Sequence, residues 1–218
     1  QAEGAVTVTV TNGSADILDA TLTFTSNDAV TINIGSLTAS DSIITAINAL
    51  ADLNSANGLT NITGTLNSLT ATQAGNLSTN LTSSNSTLSF NMKTDSDGTL
   101  GVAAAKGLMD HTNASSATVN FGGGVSDSMA AFASATAVTE NLEAIYAEDT
   151  NLAITIAGGT VIDSASNVTS LNKIATLFQA SGTGTITATA SAAKAVFVSG
   201  NVGSEVSTLG TNTDDTIN

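Results

Sequence analysis

One phrase recurs three times in this chain. A short apolar strand leads to glycine and a polar turn, and then Asp-Ser opens a helical pattern. It reads INIGSLTASDSIIT at 32–45, VNFGGGVSDSMAA at 119–131 and ITIAGGTVIDSASN at 154–167. The Asp-Ser steps at Asp127 and Asp163 lie 36 residues apart, and the step at Asp41 lies 86 residues before Asp127. Such a period belongs to arrays and solenoids, in which each unit buries its apolar side only against its neighbours. A plainer reading stands beside it. Any strand-to-helix connection favours Gly, which relaxes the turn, and Asp or Ser, which caps the helix.

Between these phrases the hydrophobic period alternates between two and about 3.6. Val6, Val8 and Val10 alternate with Thr, and the segment 5–26 reads as two strands around the turn at Asn12–Ser14, with AVTINIGS at 29–36 as a third. In 40–58, Ile43, Ile47 and Leu50 recur at helical spacing behind Ser40 or Asp41 as N-cap. The stretch 59–102 is strand-like and rich in turns, with LSF at 88–90 entering TDSDGTLG. Residues 126–149 form the longest helix candidate, with Met129, Phe132, Leu142 and Ile145 on its buried side. A strand follows at 151–159, then a helix at 163–182 with Val168, Leu171, Ile174, Ala175 and Phe178 on one face, and a strand-like stretch at 184–200. The expected fold is α+β and β-rich: short Thr/Val/Ile strands and about three helices in repeated strand-turn-helix units, stacked as a solenoid or a sandwich. Residues 1–110 are expected to form a β-rich domain with one helix, and 111–218 a strand-helix-strand-helix-strand domain.

Composition narrows the functions. Eighteen acidic residues stand against four lysines and no arginine, a net charge of −14. Nucleic acid and anionic membrane both attract positive surfaces, so neither is an expected partner. No apolar run reaches the roughly 18 residues of a membrane span. The absence of Cys removes disulfides, thiolate zinc sites and thiol catalysis. Aromatics make up 3% of the chain and Trp is absent, so the core is built from small aliphatic pieces. A start at Gln1 is expected of a processed chain or a fragment, with any signal peptide already removed.

The residues that could carry chemistry are few. His111 is the single histidine, and its neighbour Asp110 cannot orient it as a Ser-His-Asp triad requires. Glu140 with Glu143, and Glu148 with Asp149, offer paired carboxylates but lack the aromatic platform that sugar hydrolysis uses. The glycines at 122–124 and 158–159 precede Asp127 and Asp163, carboxylates that repel phosphate. Asp95 and Asp97 beside Gly98 supply the oxygen ligands and sharp turn that Ca²⁺ favours, although the EF-hand pattern fails at Lys93 and Ala104. Asp214 and Asp215 form a second acidic pair of the same kind. Calcium is thus the one cofactor with candidate ligands, beside the plain reading of both as turns. Seven Asn-x-Ser/Thr sequons fall at Asn12, Asn61, Asn76, Asn80, Asn85, Asn113 and Asn167, and glycosylation there depends on the host.

The phrases at 47–76 and 161–190 resemble repeats of very large secreted surface proteins of marine bacteria and cyanobacteria. The closing GTNTDDTIN at 210–218 is similar to the lead-in of RTX calcium repeats, and it stops before any Gly-Gly-x-Gly-x-Asp. INIGSLTASDSIITAINAL also resembles the insertion motif of flagellins and hook proteins. Both resemblances imply an exported, repetitive, assembly-forming protein. The expected function is therefore structural rather than enzymatic: an extracellular or cell-surface subunit or fragment of a surface layer, filament or adhesin. Such a subunit partners itself through strand edges, with Ca²⁺ as an aid. A phage-fibre or adhesin module that binds surface glycans, and the outer domain of a flagellin-type filament, are the alternatives.

Overall fold

The computed structural model describes residues 6–9, 30–57, 59–157, 165–181, 184–188 and 216–217. The chain divides into two compact units. The first comprises Gln1–Gly98 with Gly107–Asn120, and the second Thr99–Lys106 with Phe121–Asn218.

The first unit holds a five-stranded sheet of β1 (Val6–Thr9), β2 (Val30–Thr38), β3 (Leu59–Leu69), β4 (Ser86–Met92) and β5 (Val119–Asn120). The strands lie side by side in sequence order and every pair is parallel. A parallel neighbour needs a crossover of a dozen or more residues. Registered partners are accordingly well separated: 24 residues from Val6 to Val30, 29 from Val30 to Leu59, 24 from Ile62 to Ser86 and 29 from Phe90 to Val119. Burial alternates along the strands. Val30, Ile32 and Ile34 of β2, Ile62 and Leu66 of β3, and Leu88, Phe90 and Met92 of β4 are buried. Helix α1 (Asp41–Asn57) packs against β3 and buries Ile43, Ile44, Ile47 and Leu50. Its N-cap is Ser40, whose Oγ accepts from the Ile43 N–H at 3.3 Å. The short helix α2 (Ala71–Gly75) begins with a complete capping box between Thr70 and Gln73.

Two glycines face each other where the β2–β3 register breaks between Asn33 and Ser36. Gly35 has φ +65° and Gly64 φ +130°. A Cβ on Gly64 would stand 2.5 Å from the Gly35 carbonyl oxygen. Only glycine reconciles this backbone with so close a neighbour.

The second unit repeats the scheme. Its sheet runs β6 (Val125–Asp127), β7 (Ala153–Ile156), β8 (Thr185–Ala188), β9 (Thr216–Ile217), again parallel and in sequence order. Leu100 forms a parallel bridge to Val125, ahead of β6. Partners lie 29 residues apart from Val125 to Ile154, 32 from Ile154 to Ile186 and 29 from Thr187 to Thr216. Helix α3 (Val102–Asp110) starts in this unit, followed by α4 (Met129–Phe132), α5 (Glu140–Glu148) and α6 (Ala165–Ser181). Leu171, Ile174, Ala175 and Phe178 of α6 are buried as their spacing predicts, whereas Val168 lies outside the described side chains. The Phe178 ring stacks on Tyr146 of α5 at 4.3 Å, and the Tyr146 hydroxyl donates to the Phe178 carbonyl at 2.9 Å.

The architecture corrects several expectations. The fold is α/β with two parallel sheets, which fits the expected mixture of helices and strands in part; it is neither β-rich nor a sandwich, since helical residues outnumber strand residues among those described. Six helices among the described residues replace about three. The spacing between registered strands is 23–32 residues rather than 36, because the repeat is set by strand register and the Asp-Ser step drifts within it. The long helix expected over 126–149 is broken into α4 and α5. Between them Ser134 Oγ accepts from the Thr136 and Ala137 N–H groups, and Ala133 bridges Val138 in antiparallel fashion. Hydroxyl side chains there offer the backbone a turn in place of the helix, and Thr139 caps α5 afresh through the Leu142 N–H. Asp127 ends β6 rather than opening a helix. Its Oδ2 accepts from the Val102 N–H at 3.0 Å, at the start of α3, while Oδ1 accepts from Ser128 N–H at 2.7 Å. Asp163 and the turn at 12–14 lie outside the described residues.

Candidate functional site

Parallel sheets are ordinarily covered on both faces. Here the residues alternating with the core positions are uncharged, polar and partly exposed. On the first sheet they are Thr31 and Asn33 of β2, Thr63, Thr65 and Asn67 of β3, and Thr87, Ser89 and Asn91 of β4. The register sets them in rows across the strands. Thr9, Asn33, Thr63 and Thr87 form one row, and Ser36, Thr65 and Ser89 the next. Asn67, Asn91 and Asn120 lie close to a third. In the second sheet Ser126, Thr155 and Thr187 are likewise at least partly exposed, and the register sets them in one row with Thr216.

Side-chain hydrogen bonds lock part of the first face. Asn91 Nδ2 donates to Asn67 Oδ1 at 2.8 Å, and Asn67 Nδ2 donates to Ser36 Oγ at 2.9 Å. Asn61 Nδ2 reaches Thr87 Oγ1 at 3.3 Å, and the Thr118 N–H donates to Ser89 Oγ at 3.1 Å. Among the described residues the hydroxyls of Thr31, Thr63 and Thr65 have no hydrogen-bond partner. The result is a fixed comb of amides and hydroxyls with free donors in its middle. In the sequence these segments read only as strand-like, with Thr alternation singled out at Val6, Val8 and Val10.

Asp95 and Asp97 converge on a cation supplied by the chain itself. Lys93 Nζ lies 3.1 Å from Asp95 Oδ2 and 2.7 Å from Asp97 Oδ2. The hydrogen bonds to Asp97 and then Asp95 raise the Lys93 pKa above 10.5, and the bond from Lys93 lowers that of Asp95 below 3.8. The depressed Asp95 contributes stability that is present above its unfolded value and lost as pH falls through the folded one. The raised Lys93 contributes stability that is lost only as pH climbs through its own folded value. Both groups are exposed, so the readout is the titration itself. The Asp95 carboxyl resonance should titrate below 3.8, and Lys93→Ala should return its midpoint to the ordinary range. An unchanged midpoint in that variant would contradict the pairing. Gly98 closes this loop, where a Cβ would collide with the Lys93 carbonyl.

No protein-family model, curated protein or solved structure matches the chain.

The remaining candidates are placed separately. Asp214 and Asp215 lie outside the described residues, as does Asn12. Asn85 is buried with its carboxamide fully engaged, accepting from the Thr82 N–H and donating to the Asn80 carbonyl. Asn61 is tied to Thr87, Asn80 to Asp52 Oδ1 at 2.9 Å, and Asn113 to Ser115. Asn76 is exposed, and Asn167 borders a cleft of about 410 Å³ between α4 and α6, lined by Ser, Ala, Met and Asn. His111 Nδ1 donates to the Leu81 carbonyl at 2.7 Å, which pins the ring to a turn rather than to Asp110. Glu140 and Glu143 are exposed on α5. The Asp149 carboxylate is occupied by the Phe121 and Asn151 N–H groups. No helix among the described residues is long and apolar enough to cross a membrane.

Proposed function

We propose that the protein is a structural component of the cell exterior: a self-associating subunit or portion of a surface layer, filament or large adhesin. The observation that supports this best is the strand order. Among the described residues both sheets consist of parallel strands laid down in sequence order, each pairing with the strands before and after it. A stack built this way can be continued by another unit or a second copy, because each end of the sheet offers the same backbone ladder. In this reading the 23–32-residue units stack in the manner of a solenoid. The cysteine-free, acidic composition and the resemblance to secreted surface repeats favour the same reading. Calcium is assigned the role of neutralising acidic surfaces brought together in the assembly, a role suited to a chain of net charge −14. Sedimentation velocity over a hundredfold range of protein concentration tests it. The weight-average mass should rise well above the 21.4 kDa of one chain. A single monomeric boundary at every concentration, with Ca²⁺ present, would overturn the proposal.

A further inference from the structure

We infer that the partly exposed polar face of the first sheet is a binding surface for an extended, uncharged polysaccharide. Along β2, β3 and β4 buried apolar residues alternate with partly exposed polar ones, whereas parallel strands are ordinarily buried on both faces. Among repeat folds, the extended surface left by stacked units is what they use for binding. The chemistry of the face then selects the occupant. The chain carries 18 acidic residues, yet none lies on β2, β3 or β4. Lys93, next in the same alternation beyond β4, is held by Asp95 and Asp97. A neutral face in so acidic a protein complements a neutral ligand and offers an ionic one nothing.

A protein partner is disfavoured because binding hot spots are built from Trp, Tyr and Arg, and this face has none. What it offers is hydroxyls and carboxamides, partners for the hydroxyls of a sugar. The ladder from Asn91 through Asn67 to Ser36 is already fixed, so it loses little entropy on binding. The unpartnered hydroxyls of Thr31, Thr63 and Thr65 stand beside it. Each hydrogen bond exchanged with water contributes little on its own. Without an aromatic platform, a single sugar therefore binds poorly. A polymer crossing five strands, about 19 Å at the usual strand spacing, makes many such contacts at once.

Native affinity electrophoresis of the full chain tests this, with dextran, amylose, mannan or β-1,3-glucan cast into the gel. At least one neutral polymer should retard the band, and 1 M NaCl should leave binding unchanged when the same polymer is assayed in solution. Glucose or mannose at millimolar concentration should not compete. The double variant Thr63→Val and Thr65→Val keeps the β-branched shape and removes two hydroxyls. It should bind at least tenfold more weakly, and Thr63→Lys should lose binding. Ser83→Lys, on an exposed turn, makes the same charge change off the face and should bind as the parent does. Retardation by none of the polymers, salt-sensitive binding, or equal loss in Ser83→Lys would each overturn the inference. None of these outcomes depends on self-association, so the two claims fail separately.

Discussion

Gly64→Ala should destabilise the first unit by about 3 kcal/mol or more, with the loss read from the urea midpoint of its unfolding. Two effects combine at this position. The φ of +130° belongs to a region that essentially only glycine occupies. The added Cβ would also meet the Gly35 carbonyl oxygen at 2.5 Å and the Ile34 side chain at 2.7 Å. A backbone oxygen in a central strand pair cannot step aside as a side chain would, so relief requires opening the β2–β3 ladder. Gly35→Ala is a graded comparison. Its φ of +65° carries strain, but nothing lies within 4 Å of the new Cβ, and the left-handed conformation costs about 1–2 kcal/mol. Gly75→Ala, at a helical position with open space around it, should be neutral or slightly stabilising. If Gly64→Ala unfolds at the parental midpoint, the paired-glycine account of the register break is wrong.

Phe178→Ala should cost the second unit about 3–5 kcal/mol. The ring is 1% exposed. It stacks on Tyr146 at 4.3 Å, and it passes so close to Gly184 that a Cβ there would sit 2.5 Å from Cδ1. Removing it empties the junction of α5, α6 and the start of β8. The chain has one tyrosine and no tryptophan, so near-ultraviolet dichroism reports on Tyr146 directly. The variant should lose that signal, and in thermal unfolding followed by the same band its transition should fall by several degrees or more. Phe178→Leu, which keeps most of the volume, should fall between the two. Retention of the tyrosine signal together with the parental transition in Phe178→Ala would contradict the packing described.

What the sequence made legible was local and periodic. Leu171, Ile174, Ala175 and Phe178 announced α6 because nothing in their segment competes with a 3.6 period. Val30, Ile32 and Ile34 announced β2 by alternation. The helix expected over 126–149 failed because apolar spacing at both ends masked hydroxyl residues in the middle that satisfy their own backbone. Helix α3 went unanticipated because Gly101 and Gly107 flank and interrupt a run of alanines. Its N-terminus is capped by Asp127, 25 residues away, a partner that no local pattern identifies. The Thr and Asn positions of the polar face were visible one strand at a time. Their assembly into rows depends on parallel register, and their partial exposure on how the rest of the fold packs against the sheet. Neither property belongs to any single segment.

Self-association of stacked parallel units is tested most directly by electron microscopy of the purified chain, imaged with millimolar Ca²⁺ and with chelator. Ordered filaments or sheets in calcium, shortened or dispersed in chelator, are the predicted result. Uniform single particles of monomer size under both conditions would contradict it.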